Sequence, residues 1–123
     1  MIHLDTNFLV RVQIAASHEE TRYDQLVLAG ETPEISAVAW GEYLCGPLLP
    51  DEEASARKFV GDIEPLLAED AKLAAELFNL TGRRSRTFAD CMIAAIAIRS
   101  GAKLATSNAA DFSPFVPHGL VLA

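Results

Sequence analysis

The chain opens with Met1-Ile2-His3-Leu4-Asp5-Thr6-Asn7-Phe8-Leu9, and this stretch decides the fold. Apolar Ile2 and Leu4 predict a short strand at the start of the sequence. Asp5 ends the strand, and Thr6-Asn7 lead into a helical pattern. Ligands of parallel α/β sheets bind in the crevice beyond the carboxyl ends of the strands, so we expect Asp5 to point into that crevice. The alternative is that Asp5 only caps the following helix.

The composition predicts one folded domain spanning residues 1–123, because half of the residues are hydrophobic. No apolar run approaches the roughly 20 residues that cross a bilayer, and the start does not resemble a signal peptide. We therefore expect a cytoplasmic protein without membrane contact. Cys45 and Cys91 lie in apolar helical patterns, which predicts buried thiols in a reducing compartment, although their spacing does not rule out a disulfide.

The formal net charge is −7, which argues against sequence-independent binding of nucleic acid. A nuclease remains compatible with this charge, because metal ions can neutralise carboxylates locally. Half of all Lys and Arg residues lie within a sixth of the chain, namely Arg83, Arg84, Arg86, Arg99 and Lys103. This group is either a solvated surface or a contact surface for RNA phosphates, for which Arg84 and Arg86 are the named candidates.

Short apolar strands alternate with helical patterns along the whole chain. The predicted strands cover residues 2–4, 33–36, 63–67, 103–106 and 120–122, and the longer predicted helices cover residues 37–45, 70–80 and 87–99. Pro65 weakens the third strand and favours an edge position for it. This alternation predicts a three-layer α/β/α sandwich around a mostly parallel sheet of about five strands.

Glu42 lies in the helix that follows the second strand. One helical face would place it beside Val38, Ala39 and Cys45, where a buried carboxylate needs a cation or a hydrogen-bond partner. In the alternative rotation, Glu42 reaches water while Trp40, Tyr43 and Leu44 point inward. Spacing alone does not separate these two orientations.

Asp90 lies in the first turn of a helix that is apolar nearly all round and is therefore predicted to be largely buried. Its spacing from Thr87 resembles a capping box, which would give Asp90 a structural role only. In the alternative, the start of the helix carries Asp90 toward the crevice that contains Asp5. The fourth strand is likewise followed by polar residues, including Asn108 and Asp111. Either Asn108 caps a helix and Asp111 bonds back to it, or both residues belong to the same crevice.

Several carboxylates are thus expected at strand ends or helix starts of one parallel sheet. Neighbouring carboxylates repel one another and raise one another's pKa, and a hard cation removes that penalty. Mg²⁺ prefers oxygen ligands and keeps several waters, and it can activate water for attack on a phosphoryl group. The pattern therefore predicts a magnesium-dependent hydrolytic site.

The chain resembles PIN domains, and specifically VapC-type ribonuclease toxins of toxin–antitoxin pairs. The matching stretches are Leu4-Asp5-Thr6-Asn7, Ser36 with Glu42-Tyr43-Leu44, Ala89-Asp90-Cys91-Met92-Ile93-Ala94-Ala95-Ile96-Ala97, and Leu104-Ala105-Thr106-Ser107-Asn108-Ala109-Ala110-Asp111-Phe112. Each stretch is short, but their order and spacing cover nearly the whole length. The resemblance therefore rests on the set and not on one motif.

The resemblance implies a Mg²⁺- or Mn²⁺-dependent endoribonuclease. Its acidic site residues would be Asp5, Glu42, Asp90 and a fourth residue, either Asp111 or Asn108, with Asp5 and Asp90 as metal ligands. Water or substrate would contact Thr6, Asn7, Thr106 or Asn108. The family also implies a homodimer and a small antitoxin whose tail reaches the acidic groove, and an acidic chain suits a basic tail.

Three other functions are considered at this stage. One is a binding module that kept the fold and lost catalysis, and the intact set of acids argues against it. A PIN nuclease that processes RNA outside a toxin–antitoxin pair would have the same chemistry. A receiver-like signalling domain also gathers acids around Mg²⁺, but it needs an Asp that ends its middle strand and a Lys that ends a later one. Here the third predicted strand ends without an Asp, and Lys103 begins its strand.

Overall fold

The computed structural model describes residues 1–83 and 87–123. Its strands are β1 (Ile2–Leu4), β2 (Pro33–Ser36), β3 (Ile63–Glu64), β4 (Lys103–Ala105) and β5 (Val121–Leu122). All pairings are parallel, and the strands form a single sheet in the order β3-β2-β1-β4-β5. The predicted α/β fold with a parallel sheet is confirmed.

Helices connect the strands. The helices within the described residues are α1 (Thr6–Val12), α2 (His18–Leu28), α3 (Ala37–Leu44), α4 (Glu52–Arg57), α5 (Ala68–Leu80), α6 (Phe88–Ser100) and α7 (Ala109–Phe112), followed by a 3₁₀ helix over Ser113–His118. The chain steps from β1 through β2 to β3 in one direction and then returns past β1 to β4. Because such crossovers are right-handed, the reversal puts helices on both faces of the sheet. No helix in the described part of the chain has the length and apolar character that crossing a bilayer requires.

The first strand occupies the centre of the sheet, and the strand order reverses beside it. Ile2 and Leu4 are fully buried, and Leu4 pairs with Ile35 on one side and with Ala105 on the other. Ligands of doubly wound sheets bind at such a reversal, beyond the carboxyl ends of the strands. The residue after Leu4 therefore lies where a ligand is expected. This strand order also differs from the 2-1-3-4-5 order of flavodoxin-like receivers, so the receiver interpretation is wrong.

The helix α6 is buried over most of its length, as its apolar sequence predicts. Cys91 and the five residues 93–97 are buried, whereas Asp90 in the first turn is only half-buried. The helix ends at Gly101, whose φ of 67° is a left-handed conformation that glycine adopts without strain. This well-packed helix fixes the position of Asp90 at its N-terminal end.

Some predicted boundaries and one predicted burial differ from the structure. The third strand is an edge strand, as predicted, but it covers only Ile63–Glu64, because Pro65 cannot donate to a neighbouring strand. The 3₁₀ helix had no counterpart in the sequence pattern. The prediction of two buried thiols is wrong for Cys45, which is exposed at the end of α3, whereas Cys91 is buried. Both cysteines are free, so the disulfide is also absent.

His3 is buried in the central strand, and within residues 1–83 and 87–123 neither of its ring nitrogens has a hydrogen-bond partner. Its side chain has no exposed surface, and Nε2 lies 3.8 Å from a carboxylate oxygen of Glu34. Burial lowers the pKa of His3 from 6.5 to about 4. Between these values the unfolded chain binds a proton that the native state excludes. The stability that neutral His3 contributes above pH 6.5 is therefore lost as the pH falls toward 4.

We expect His3→Leu to reduce the fall in the free energy of unfolding between pH 7 and pH 5, because the leucine side chain cannot bind a proton. The measurement is the free energy of unfolding in urea near pH 7 and near pH 5, compared between parent and variant. His118→Gln, at an exposed histidine, is the matched control. A parent-like pH slope in His3→Leu would show that His3 is not the titrating group.

Candidate functional site

A cavity of about 140 Å³ lies at the carboxyl ends of the central strands. Its lining residues are Asp5, Thr6, Asn7, Glu42, Asp90, Ile93, Asn108, Asp111 and Phe112. All four acids that the sequence singles out therefore meet at one cavity, although they come from four separate regions of the chain. The apolar lining residues Ile93 and Phe112 had no signal in the sequence beyond hydrophobicity.

Asp5 both caps α1 and lines the cavity, so its two predicted roles coexist. Its side chain is only 5% exposed. One oxygen, Oδ1, accepts a hydrogen bond of 2.7 Å from the backbone N–H of Phe8. The other, Oδ2, accepts a hydrogen bond from the Thr106 hydroxyl. Because each oxygen has a donor, the orientation of the Asp5 carboxylate is fixed before any ligand binds.

Burial is the main cause of a raised pKa at Asp5. The hydrogen bonds from Thr106 and Phe8 act in the opposite direction, since they stabilise the ionised form. The charges of Glu42 and Asp111 raise the pKa further. The carboxylates thus interact electrostatically across the cavity.

Glu42 is exposed, while Trp40 and Tyr43 on the same helix are buried. The orientation in which Glu42 reaches water is therefore the observed one, except that Leu44 is also exposed. Glu42 nevertheless faces the cavity, where its Oε1 accepts a hydrogen bond of 2.9 Å from the Thr6 hydroxyl. Thr6 thereby connects the end of β1 to the helix after β2.

Asp90 does not form the predicted capping box, because Thr87 at the N-cap of α6 makes no side-chain capping bond. Within residues 1–83 and 87–123, the Asp90 carboxylate accepts no hydrogen bond and has no ion pair. Burial raises its pKa to about 6, and the charges of Asp111, Glu42 and Asp5 act in the same direction. An acid that is half-buried among other acids is where a cation would be bound most favourably.

The segment after β4 holds two of the other site residues in place. The backbone N–H of Asn108 donates to the Thr106 hydroxyl oxygen at 2.9 Å. The Asn108 side-chain amide donates to Oδ2 of Asp111 at 2.7 Å. Asn108 and Asp111 line the cavity, whereas Thr106 is not among its lining residues and donates to Asp5. The Asn108 side chain therefore acts as a donor to the Asp111 carboxylate.

The donor set of the cavity fits a hard divalent cation. In the described part of the chain, no Lys, Arg or His lines the cavity, so its four carboxylates face one another without a protein counter-charge. No three acidic, histidine or cysteine side chains among the described residues are grouped closely enough to ligate one ion. Proteins usually bind Mg²⁺ through one or two carboxylates while the ion keeps several waters, and the oxygen-rich lining of this cavity suits that mode.

Two members of the predicted basic cluster form ion pairs within the described part of the chain. Arg99 pairs with Asp70 at 2.6 Å and with Glu64 at 2.9 Å. Lys103 pairs with Glu31 at 3.1 Å. Ion-paired side chains are poorly suited to bind phosphates. Arg84 and Arg86 lie outside the described residues, so their contact with RNA stays a prediction.

Sequence reasoning missed Glu19, which is only 9% exposed. Its Oε2 accepts a hydrogen bond of 2.9 Å from the Ser107 hydroxyl, which belongs to the segment that holds Asp5 and Asp111. In the sequence Glu19 resembled an ordinary acid in the first turn of α2. No local pattern indicated its partner, which lies 88 residues away along the chain.

Comparisons with solved structures reveal close similarity of fold at low sequence identity. VapBC2 from Rickettsia felis, bound to a promoter DNA fragment, matches with a TM-score of 0.75, 22% identity, and coverage of 100% of this chain and 98% of that chain. FitAcB from Neisseria gonorrhoeae matches with a TM-score of 0.77, 24% identity, and coverage of 100% and 97%. VapC20 from Mycobacterium tuberculosis, described as a toxin that cleaves the sarcin–ricin loop, matches with a TM-score of 0.65, 17% identity, and coverage of 100% and 98%. No curated protein sequence matches the chain significantly.

The family assignment rests on the sequence itself as well as on the fold. The family model of the PIN domain matches residues 2–113, which include every acid of the cavity. The chain therefore belongs to the PIN-domain family.

Proposed function

We propose that the chain is a Mg²⁺- or Mn²⁺-dependent endoribonuclease and the toxin of a type II toxin–antitoxin pair. The observation that carries the proposal is the cavity in which Asp5, Glu42, Asp90 and Asp111 meet without a basic lining residue in the described part of the chain. Membership of the PIN family supports nuclease chemistry. Similarity of fold to VapC20, a toxin that cleaves the sarcin–ricin loop, supports RNA as the substrate.

The four acids have different proposed roles. Asp5 and Asp90 are the metal ligands, because Asp5 is oriented by its two donors and Asp90 lines the cavity among the charges of the other three acids. Glu42 and Asp111 complete the acidic lining, where they would orient waters around the ion. When bound, the ion would activate water and neutralise charge on the scissile phosphate. The pKa of about 6 at Asp90 means that metal binding in mildly acidic solution would release a proton.

The polar side chains divide into those that reach the cavity and those that support it. Asn7 lines the cavity and is the candidate for substrate contact. Thr6 also lines it, and its hydroxyl holds Glu42. Thr106 donates to Asp5 and is not among the lining residues of the cavity, so we assign it the orientation of Asp5 and not contact with substrate. Asn108 orients Asp111 in the same manner.

An antitoxin partner is consistent with two surface features. The acidic cavity suits a basic peptide tail, and apolar side chains are exposed on helix α1 and after α3. Val10 is 45% exposed and Leu49 is 67% exposed. Val10 also lines a groove with the partly buried Leu48. Exposed apolar patches commonly mark protein contact sites. Structures similar to this chain include VapBC2 and a toxin–antitoxin complex from Klebsiella pneumoniae. The antitoxin, a homodimeric state and a cytoplasmic location are all parts of the proposal.

The proposal is tested by incubating purified protein with single-stranded RNA. We expect internal cleavage with Mg²⁺ or Mn²⁺ and none with EDTA, because the carboxylates alone offer no counter-charge to a phosphate. Restoring activity by adding Mn²⁺ to the EDTA-treated sample is the control for irreversible damage. Cleavage that persists in EDTA would contradict the metal-dependent mechanism.

A PIN nuclease of RNA processing would behave identically in that assay. Expression in cells separates the two functions, because a toxin should arrest growth and co-expression of its antitoxin should restore it. Growth that is unaffected by an enzyme active in vitro would favour the processing function.

A further inference from the structure

Glu19 is a buried acid that does not line the acidic cavity. Helix α2 carries it, and its Oε2 accepts the Ser107 hydroxyl at 2.9 Å. Glu19 and Ser107 line a separate cavity of about 210 Å³. The hydrogen bond from Ser107 is the main reason why the pKa of Glu19 is lowered, so the acid is ionised at neutral pH and accepts this bond as a carboxylate. Hydrogen bonds to an ionised acceptor are shorter and stronger than neutral ones.

Ser107 lies between two residues that hold acids of the candidate site. Thr106 donates to Asp5, and the side chain of Asn108 donates to Asp111. Three consecutive polar side chains thus have three different acidic partners. The contact of Ser107 is the one that anchors this segment to a helix outside the cavity.

We propose that Glu19 is a positioning residue for the site. Through Ser107 it fixes the segment whose flanking residues orient the Asp5 and Asp111 carboxylates. The contact is suited to this task, because losing either partner would leave the segment without this anchor. The charges of Arg11 and His18 also favour the ionised form of Glu19, so its carboxylate is present as the acceptor. The inference rests on the proposed metal-dependent activity, but the geometry also predicts an effect on metal affinity without RNA.

The test compares four variants with the parent: Glu19→Ala, Glu19→Gln, Ser107→Ala and the double alanine variant. We expect each single alanine change to lower both Mn²⁺ affinity and kcat, by up to the roughly 10- to 100-fold that follows the loss of a residue bonded directly to a ligand, with KM little changed. The double variant should be no worse than the worse single one, because both changes remove the same bond. Glu19→Gln should retain most of the affinity, since its amide oxygen can still accept from Ser107.

Mn²⁺ affinity is measured by electron paramagnetic resonance without RNA, and kcat and KM by RNA cleavage. Asp24→Ala, at an exposed acid on the same helix, is the matched control. The positioning role would be overturned by any of three results. The losses could be additive in the double variant, or both single alanine variants could keep the affinity and kcat of the parent. The third such result is a Glu19→Gln variant that is as impaired as Glu19→Ala. If Glu19→Ala does not fold, the Mn²⁺ affinity and kcat of Ser107→Ala decide the question. That variant only removes one hydroxyl from a partly exposed residue.

The two proposals fail differently in this experiment. A parent that binds Mn²⁺ but cleaves no RNA would contradict the proposed activity, and the Mn²⁺ affinities of the variants would still decide the role of Glu19. A parent that binds no Mn²⁺ would overturn both.

Discussion

Asp5→Asn is expected to lower kcat for RNA cleavage on the order of 10³-fold, because a metal ion contributes several kcal/mol of transition-state stabilisation and each 1.36 kcal/mol corresponds to tenfold in rate. The amide has the shape of the carboxylate and keeps an oxygen for the N–H of Phe8. The fold should therefore survive while the charge at the end of β1 is lost. The measurement is single-turnover RNA cleavage at saturating Mg²⁺.

The control for Asp5→Asn is Asp24→Asn, which removes the same charge from an exposed position on α2. The control should cleave RNA at the parent rate and unfold at the parent temperature. If Asp5→Asn retained activity within a few-fold of the parent, Asp5 would be a helix cap and not a metal ligand.

Asp90→Asn should distinguish two contributions to stability. One is the repulsion between carboxylates in the metal-free protein, and the other is the stability gained when a metal ion binds. In EDTA the parent carries four neighbouring carboxylates, and the pKa of about 6 shows that ionising Asp90 is unfavourable in the native state. The variant should therefore be at least as stable as the parent without metal. With Mg²⁺, the parent should gain RT ln(1 + [L]/Kd), which is about 2.7 kcal/mol at a concentration roughly 100 times Kd. The variant should gain much less.

The measurement consists of four thermal melts, with parent and Asp90→Asn each in EDTA and in Mg²⁺.

The pH dependence of stability in EDTA tests the same assignment of Asp90 independently. Because the native pKa of Asp90 is raised above its ordinary value of 3.8, the parent in EDTA should lose stability relative to the variant as the pH rises from about 4 to 6. Equal Mg²⁺ shifts in both proteins would show that Asp90 contributes little to metal binding.

The sequence predicts the fold well because its strands and helices have strong local signals. The alternation around Ile2 and Leu4 and the apolar length of α6 each correspond to an observed element. Asp5 could be placed at the crevice because the carboxyl end of a central parallel strand has a fixed location in this class of sheet.

Other properties of the site depend on contacts that local sequence does not encode. The orientation of Glu42 was left open because two helical faces were equally apolar, and the hydrogen bond from Thr6 shows how an exposed acid still faces the cavity. The partnership of Glu19 with Ser107 joins distant segments, so spacing could not reveal it. Likewise, Arg99 was grouped with a basic cluster, but its charge pairs with acids brought close by the fold.

The central claim is that the four acids support hydrolysis of an RNA phosphodiester by water. Its most direct test is RNA cleavage with Mg²⁺ in water enriched in ¹⁸O, followed by mass analysis of both product ends. We predict a 3′-hydroxyl end and a 5′-phosphate that carries one ¹⁸O atom for each cut. A 2′,3′-cyclic phosphate, or a 5′-phosphate without the label, would contradict attack by water and with it the proposed role of the site.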